Sequence, residues 1–297
     1  MIPFVRDIQF EYGKVDQVSP LIRRVIANNP GPFTFTGTGT YIIGKGQVAV
    51  IDPGPDMDDH LEAVLAALEG ETVSHILITH NHLDHSPLAR PLAARTGAKI
   101  YSKPIAAKAQ DSDVVTEAGD DEGFQPDVAL KGGEIIKGPG WTFEAIHTPG
   151  HTSNHICYAL AEENTLFSGD HIMGWSTTVI TPPDGDMGDY FASLDAIQAR
   201  NFATLWPTHG PAITEVRPFI QAYSDHRRAR EDQILAQLAN GPASILTMVP
   251  IIYAAVDSRL HPAAARSIQA HVIHMANQGR LVCDGPVALD TILRLAA

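Results

Sequence analysis

Short apolar runs alternate with segments at helical spacing along the first two hundred residues. Residues 47–52 form an apolar run closed by Pro53 and Gly54, which predicts a buried strand. Leu61, Val64, Leu65 and Leu68 follow at helical spacing, and Gly70 stops that helix. Residues 73–79 predict another strand, and 99–102 a short one. Residues 86–96 predict an Ala/Leu-rich helix whose first turns are limited by Pro87 and Pro91. The pattern breaks over 109–127, where Asp111, Asp113, Glu117, Asp120, Asp121, Glu122 and Asp127 form a long acidic loop. Structureless loops of such length tend to carry function. Strands resume at 142–146, 156–160 and 165–168, followed by a helix at 189–200 and a strand at 203–206. Alternating strands and helices predict an α/β class.

A second unit is expected from Arg217, giving domains 1–216 and 217–297. Residues 219–238 predict a long helix ended by Asn240, Gly241 and Pro242. A second helix is expected over 245–256. A third opens at Pro262, a favourable first-turn residue, carries Ile268, Val272 and Met275 on one face, and stops at Gly279. Residues 281–283 read as a strand and Asp284-Gly285 as a turn. Three helices followed by a small hairpin is the order of a winged helix.

Composition changes this picture in two places. The net charge is −13, but residues 217–297 carry eight Arg, no Lys and six Asp or Glu, a balance of +2 that leaves −15 on the rest. A positive tail beside an acidic body suggests either a solvated surface or a tail that faces a polyanion. Cys157 and Cys283 are the two cysteines, too few for a disulfide framework. The N-terminus has no apolar run of signal-peptide length, and no segment approaches the ~18 apolar residues of a membrane span. A cytoplasmic protein without membrane contact is the expectation.

The informative chemistry lies at the end of the 73–79 strand. There an apolar run leads straight into His80, His82, Asp84 and His85. Imidazole and carboxylate are ligands of zinc and of several first-row metals. Side chains two apart at a strand end point the same way, so His80 and His82 can share one ion. Asp84 and His85 lie where the chain turns toward a helix and can face a second. His151 and His209 sit in loops directly after strands, and Asp170 follows Gly169 in the same kind of place. Glycines beside such ligands let the backbone turn sharply. Seven ligands suit two ions with positions open for water.

The order Asp52; His80-x-His82-x-Asp84-His85; His151; Asp170; His209 resembles the motif set of the metallo-β-lactamase fold superfamily, over about residues 30–215. The resemblance implies an αββα sandwich with metals at one edge of its two sheets. It implies that His80, His82 and His151 hold one ion, that Asp84, His85 and His209 hold the other, and that Asp170 bridges them. Asp52 is then an orienting residue and not a ligand. Two zinc ions are expected, with iron or manganese as alternatives. Paired ions lower the pKa of a shared water and supply hydroxide at neutral pH. Asp84 is the expected general base.

Departures within the superfamily narrow the choice. A carboxylate at 170 resembles the thioesterase, lactonase and nuclease branches, whereas true β-lactamases lack it. His82 stands where flavo-diiron oxygen reductases carry a glutamate. A mononuclear-iron persulfide dioxygenase, using the equivalents of His80, His151 and Asp170, remains an alternative. The segment 218–285, with His226, Arg227, Arg228, Arg230 and Glu231 on its first helix, is similar to the winged-helix tail of the beta-lactamase-like protein 2 family, a group that includes an endoribonuclease acting on single-stranded RNA.

The expected activity is therefore hydrolysis of a small ester, lactone or thioester, with RNA cleavage as the alternative. RNA would be held by Arg227, Arg228 and Arg230, against the acidic body, which repels phosphate. Partners are a small-molecule substrate or RNA, and homo-oligomerisation stays open. His155 and His171 stand beside ligands. Residues 175–178 and 182–186 are expected at the pocket mouth, and Tyr190 in helix packing.

Overall fold

The computed structural model describes residues 1–105 and 119–296. Besides one short 3-10 helix at Ser258–Leu260, fourteen strands and six α-helices occur among them. In chain order they are β1 Val15–Gln17, β2 Ile22–Ile26, β3 Gly39–Ile43, β4 Gln47–Ile51, α1 Asp58–Ala67, β5 Thr72–Leu77, α2 Ala89–Thr96, β6 Lys99–Ser102, β7 Val128–Ala129, β8 Ile135–Gly138, β9 Trp141–His147, β10 Ile156–Leu160, β11 Thr165–Gly169, α3 Met187–Gln198, β12 Thr204–Pro207, α4 Val216–Leu238, α5 Ile245–Ile252, α6 His261–Asn277, β13 Leu281–Cys283 and β14 Leu293–Leu295.

Strands β1 to β7 form one sheet in sequence order, antiparallel as far as β4 and parallel from there. The second sheet runs β12-β11-β10-β9-β8, with β11 and β12 parallel. The two sheets face each other across a shared core. Alternate residues of each strand go to different layers, as the two-residue period requires. Tyr41, Ile43, Ala49 and Ile51 meet Phe143, Ile156, Tyr158 and Phe167 between the sheets. Ile42, Val48 and Val50 point the other way, onto Leu61 and Val64 of α1 and Leu92 of α2. Cys157, Ala159 and Leu166 point outward onto Leu194 of α3 and Phe219 and Tyr223 of α4. The product is an αββα sandwich. Strands covered on both faces read as continuous apolar runs, which is why β4, β5 and β10 stand out in the sequence.

The tail is a winged helix of three helices and the β13–β14 hairpin, with its own core around Ile234, Ile245, Met248, Ile268, Val272 and Met275. Helix α4 belongs to both cores. Phe219, Ile220 and Tyr223 cover the second sheet, while Ile234 and Leu238 enter the tail core.

Some boundaries differ from the sequence reading. Helix α2 starts at Ala89 and not at Ser86, because His85 and Ser86 still hydrogen-bond back to the His82 carbonyl in a turn. Helix α5 stops at Ile252, where Pro250 and the non-helical Tyr253 end it four residues early. Strands β1, β2, β3, β7 and β8 went unrecognised, and the partner of β13 lies at Leu293–Leu295, well past the turn expected at Asp284-Gly285. Arg23 and Arg24 interrupt the apolar run of β2, and β7 has two residues. Of the acidic stretch, Asp111, Asp113 and Glu117 lie outside the described residues. Among the described residues, no helix is long and apolar enough to cross a membrane.

Two buried histidines away from the strand ends give an acid-stability prediction. Burial pushes His60 down to about 4, and His271 also to about 4 despite the nearby Glu231. Both folded values lie below the ordinary 6.5, so the unfolded chain takes up protons first as pH falls. The stability is present above about pH 6.5 and is lost as pH drops toward 4. At pH 5 each is expected to cost up to about 2 kcal/mol, at about 1.4 kcal/mol per unit. Thermal melts at pH 7.5 and 5.0 should show the drop, and His60→Gln should shrink it. A pH-independent melting temperature contradicts this.

Candidate metal centre

One edge of the sandwich collects every strand end that carries a candidate. In the first sheet β4 and β5 run parallel, and their C-terminal ends lead into Asp52 and Thr79-His80. In the second sheet β9 leads to His151, β11 to Asp170 and β12 to His209. The Ile156 amide donates to the Thr79 carbonyl at 2.8 Å and ties the two sheets together at this edge. Loops at the carboxyl ends of parallel strands are where open α/β sheets place their ligands.

Two glycines make the edge possible. Gly150 has φ +139°, and a Cβ there would lie 2.5 Å from the Tyr190 Cα. Gly169 has φ +53°, and a Cβ would lie 2.6 Å from His155 Nε2. Both precede a candidate ligand, so only glycine lets His151 and Asp170 reach inward.

All seven predicted residues come together, and all are buried. His80, His82 and His151 form one group, Asp84, His85 and His209 a second, and His80, His85 and Asp170 a third that overlaps them. His80 Nε2 lies 3.0 Å from His82 Nδ1, and His151 Nε2 lies 3.3 Å from it. His209 Nε2 is 3.1 Å from Asp84 Oδ2 and 3.5 Å from Asp170 Oδ1. His85 Nε2 is 3.6 Å from both Asp84 Oδ1 and Asp170 Oδ2, and Asp170 Oδ2 is 4.0 Å from His151 Nε2. Asp170 thus stands between the two groups.

The outer nitrogens fix the tautomers. Thr79 Oγ1 donates to Asp52 Oδ2, so at 3.0 Å it accepts from His80 Nδ1. His151 Nδ1 donates to the Val179 carbonyl at 2.7 Å, and His209 Nδ1 to the Gly37 carbonyl at 3.3 Å. His85 Nδ1 donates to Asp52 Oδ2 at 2.9 Å. Each of these rings therefore turns its Nε2 inward, toward other acceptor atoms, where a metal ion would take the place of any proton. Asp84 Oδ1, His85 Nε2, Asp170 Oδ1 and His209 Nε2 are buried without a hydrogen-bond partner. Converging lone pairs and orphaned carboxylate oxygens are costly unless a cation fills the space. The residues fit divalent metals.

The electrostatics point the same way. Burial holds His80 well below the ordinary histidine value and His82 at about 3, with neighbouring histidines adding to the effect. Burial would also lower His209, but the Asp170 and Asp84 carboxylates lift it to about 10. In His85 the carboxylates of Asp84, Asp170 and Asp52 likewise outweigh burial and hold its pKa well above the ordinary value. Burial would raise Asp84, yet His85 and His209 hold it at about 2.

Asp52 orients this assembly. It adopts φ +47°, a left-handed conformation that Asp tolerates better than most residues. Its carboxylate accepts from the Thr79 amide and hydroxyl, from the Thr208 hydroxyl and from His85. One residue thereby positions the ends of β5 and β12 and one histidine. Asp52→Ala is expected to weaken metal affinity about 10–100-fold, the usual effect of removing such support. Competition against a chromogenic chelator measures it, and unchanged affinity would contradict this role.

Other placements bear out the sequence reading in part and depart from it in part. Asp120, in the acidic loop, lies 3.7 Å from His82 Nε2, and Asp121 accepts from Ser86. The sequence marked both only as members of an acidic loop and gave neither a place beside the site. His155 accepts from the Asp170 amide. His171 packs on Tyr190, whose hydroxyl donates to the His171 carbonyl, so Tyr190 serves packing. Thr178 braces the Asp170 and His171 carbonyls. Arg227 corrects an expectation. It is 4% exposed, donates to the Thr178 carbonyl and stacks over Tyr190, so it is not available to a phosphate backbone. Arg228 and Arg230 lie over Phe191 and Tyr253.

Comparison with known proteins follows the same division of the chain. Residues 34–209 match the model of the metallo-beta-lactamase superfamily, and residues 244–286 match the beta-lactamase associated winged helix domain. The beta-lactamase-like protein 2 homolog of Caenorhabditis elegans is 33% identical over 75% of this chain and 73% of its own. An atrochrysone carboxyl ACP thioesterase of Aspergillus fumigatus is 33% identical over 76% of this chain and 68% of its own. A beta-lactamase domain protein from Burkholderia ambifaria superposes with a TM-score of 0.79 at 19% identity, over 99% of this chain and 97% of its own.

Proposed function

Because the chain belongs to the metallo-beta-lactamase superfamily and is a metal-dependent hydrolase, we propose that it cleaves a thioester at a pair of zinc ions. The observation that carries this reading is the meeting of two three-residue groups at Asp170. His80, His82 and His151 would hold one ion, Asp84, His85 and His209 the other, and Asp170 both. A histidine-rich set favours zinc. When bound, such a pair lowers the pKa of water to near neutrality and polarises the carbonyl under attack.

The chain supplies the rest. Asp84 is held ionised by His85 and His209, and its Oδ1 has no hydrogen-bond partner. It takes the proton of the attacking water as the new C–O bond forms. It returns that proton to the sulfur as the C–S bond breaks, so an acid and a thiol leave. Buried walls and the Asp52 hydrogen bonds keep the histidines in place.

An acyl bond is favoured over RNA by the burial of Arg227 and by relatives named as acyl-carrier thioesterases. Both cysteines are free thiols, in keeping with the reducing cytoplasm. Zinc-loaded protein should be assayed in parallel on acyl thioesters, esters, lactones and single-stranded RNA. Thioester turnover above the other substrates is expected. RNA cleavage with all acyl substrates untouched would overturn the reading, as would one iron and no second metal on elemental analysis.

A further inference from the structure

Between the sandwich and the winged helix lies a cleft of about 660 Å³, lined by Phe33 and Val179 from the first unit and Leu246, Val249, Ala263 and Leu289 from the second. No Asp or Glu lines it, in a chain of net charge −13. One cation does. Arg266 donates to Gln269 Oε1 at 2.9 Å, and among the described residues it has no carboxylate partner. Arg266 also lines a neighbouring cleft beside Pro182, Pro183 and Asp186.

The cleft is tied to the metal centre through both of its first-unit walls. The carbonyl of Val179 itself accepts from His151. Phe33 lies four residues before Gly37, whose carbonyl accepts from His209. The segments that orient a histidine of each three-residue group therefore also form the apolar wall. Volumes of about 300–1,000 Å³ with apolar linings and one placed charge are typical of small-molecule sites. Leu246 is 53% exposed, so the apolar surface continues out to the rim.

The geometry points to this cleft as the subsite for a long acyl chain bearing an anionic group that pairs with Arg266. The inference rests on the acyl reading of the metal centre. It adds that the winged helix selects the substrate: chain length is measured against α5 and α6, and charge against Arg266. A neutral or acetyl-sized group would leave the cleft unused.

Binding and turnover test this separately. Dodecanoate binding to chelator-treated protein, followed by calorimetry, reads the cleft without the metals. Ala263→Trp fills it from the exposed first turn of α6, and Leu246→Glu charges it, so neither depends on the other for folding. At least tenfold weaker dodecanoate binding is expected in both, and weaker binding in Arg266→Gln. In zinc-loaded protein, the ratio of kcat/KM for the monothioester of dodecanedioic acid, which keeps a free carboxylate at the far end of the chain, over acetyl thioester should fall at least tenfold in Ala263→Trp. Dodecanoate binding lost in the variants while no thioester is cleaved would sink the thioesterase reading and leave the cleft assignment standing. No dodecanoate binding by the parent protein, or equal binding in folded Ala263→Trp and Leu246→Glu, would overturn the assignment. So would a single-stranded RNA displacing dodecanoate.

Discussion

Asp84→Ala is expected to fold normally and to lose turnover almost entirely. Two losses add. One three-residue group drops to His85 and His209, and the only orphaned carboxylate oxygen of that group disappears with the side chain. A general acid–base role is worth about 10²–10⁴-fold in rate before any metal is counted. The fold should survive because Asp84 contributes nothing to the sheet core, and Asp52 still holds Thr79, Thr208 and His85. The check is kcat beside a melting curve and a metal count. Near-normal turnover in a folded variant would end the case for Asp84.

Removing the metals is expected to abolish activity and to lower the melting temperature without unfolding the protein at room temperature. The sheets are joined at the site by direct bonds, Ile156 N to the Thr79 carbonyl and Tyr158 Oη to the Ile78 carbonyl. These do not depend on an ion. A ligand present at about 1,000 times its Kd stabilises by about 4 kcal/mol, a shift of roughly 10 °C for a chain of this size. Dialysis against a chelator, then return of two equivalents of zinc, should remove and restore both properties. Full activity after metal is shown to be gone would refute metal dependence.

The candidate metal ligands were legible because their setting is extreme. An apolar strand running into His80, His82, Asp84 and His85 has few other physical explanations, and His151, Asp170 and His209 each follow a strand. What stayed hidden are the partners that supply only backbone. The carbonyls of Val179 and Gly37 fix two tautomers, and a carbonyl leaves no mark in a sequence. Arg227 was misread although a signal existed. Ile220, Tyr223, Arg227, Glu231, Ile234 and Leu238 recur at three- and four-residue steps, so Arg227 belongs to the buried stripe of α4. Reading three arginines as one surface cluster ignored that period. Strands β2 and β3 were missed for the opposite reason, since polar residues such as Arg24 and Thr40 are buried there.

Helix α4 has a consequence for how such chains diversify. Its first turns seal one sheet of the sandwich and its last turns seat the winged helix, with no break between. Cutting at its start would bare the Cys157–Leu166 face, and cutting at its end would strip Ile234 from the tail. A recombined gene with its crossover inside these 23 residues joins two half-helices selected against different surfaces. Such a joint is expected to cost packing on both sides at once, so the two units stand or fall together through this one helix.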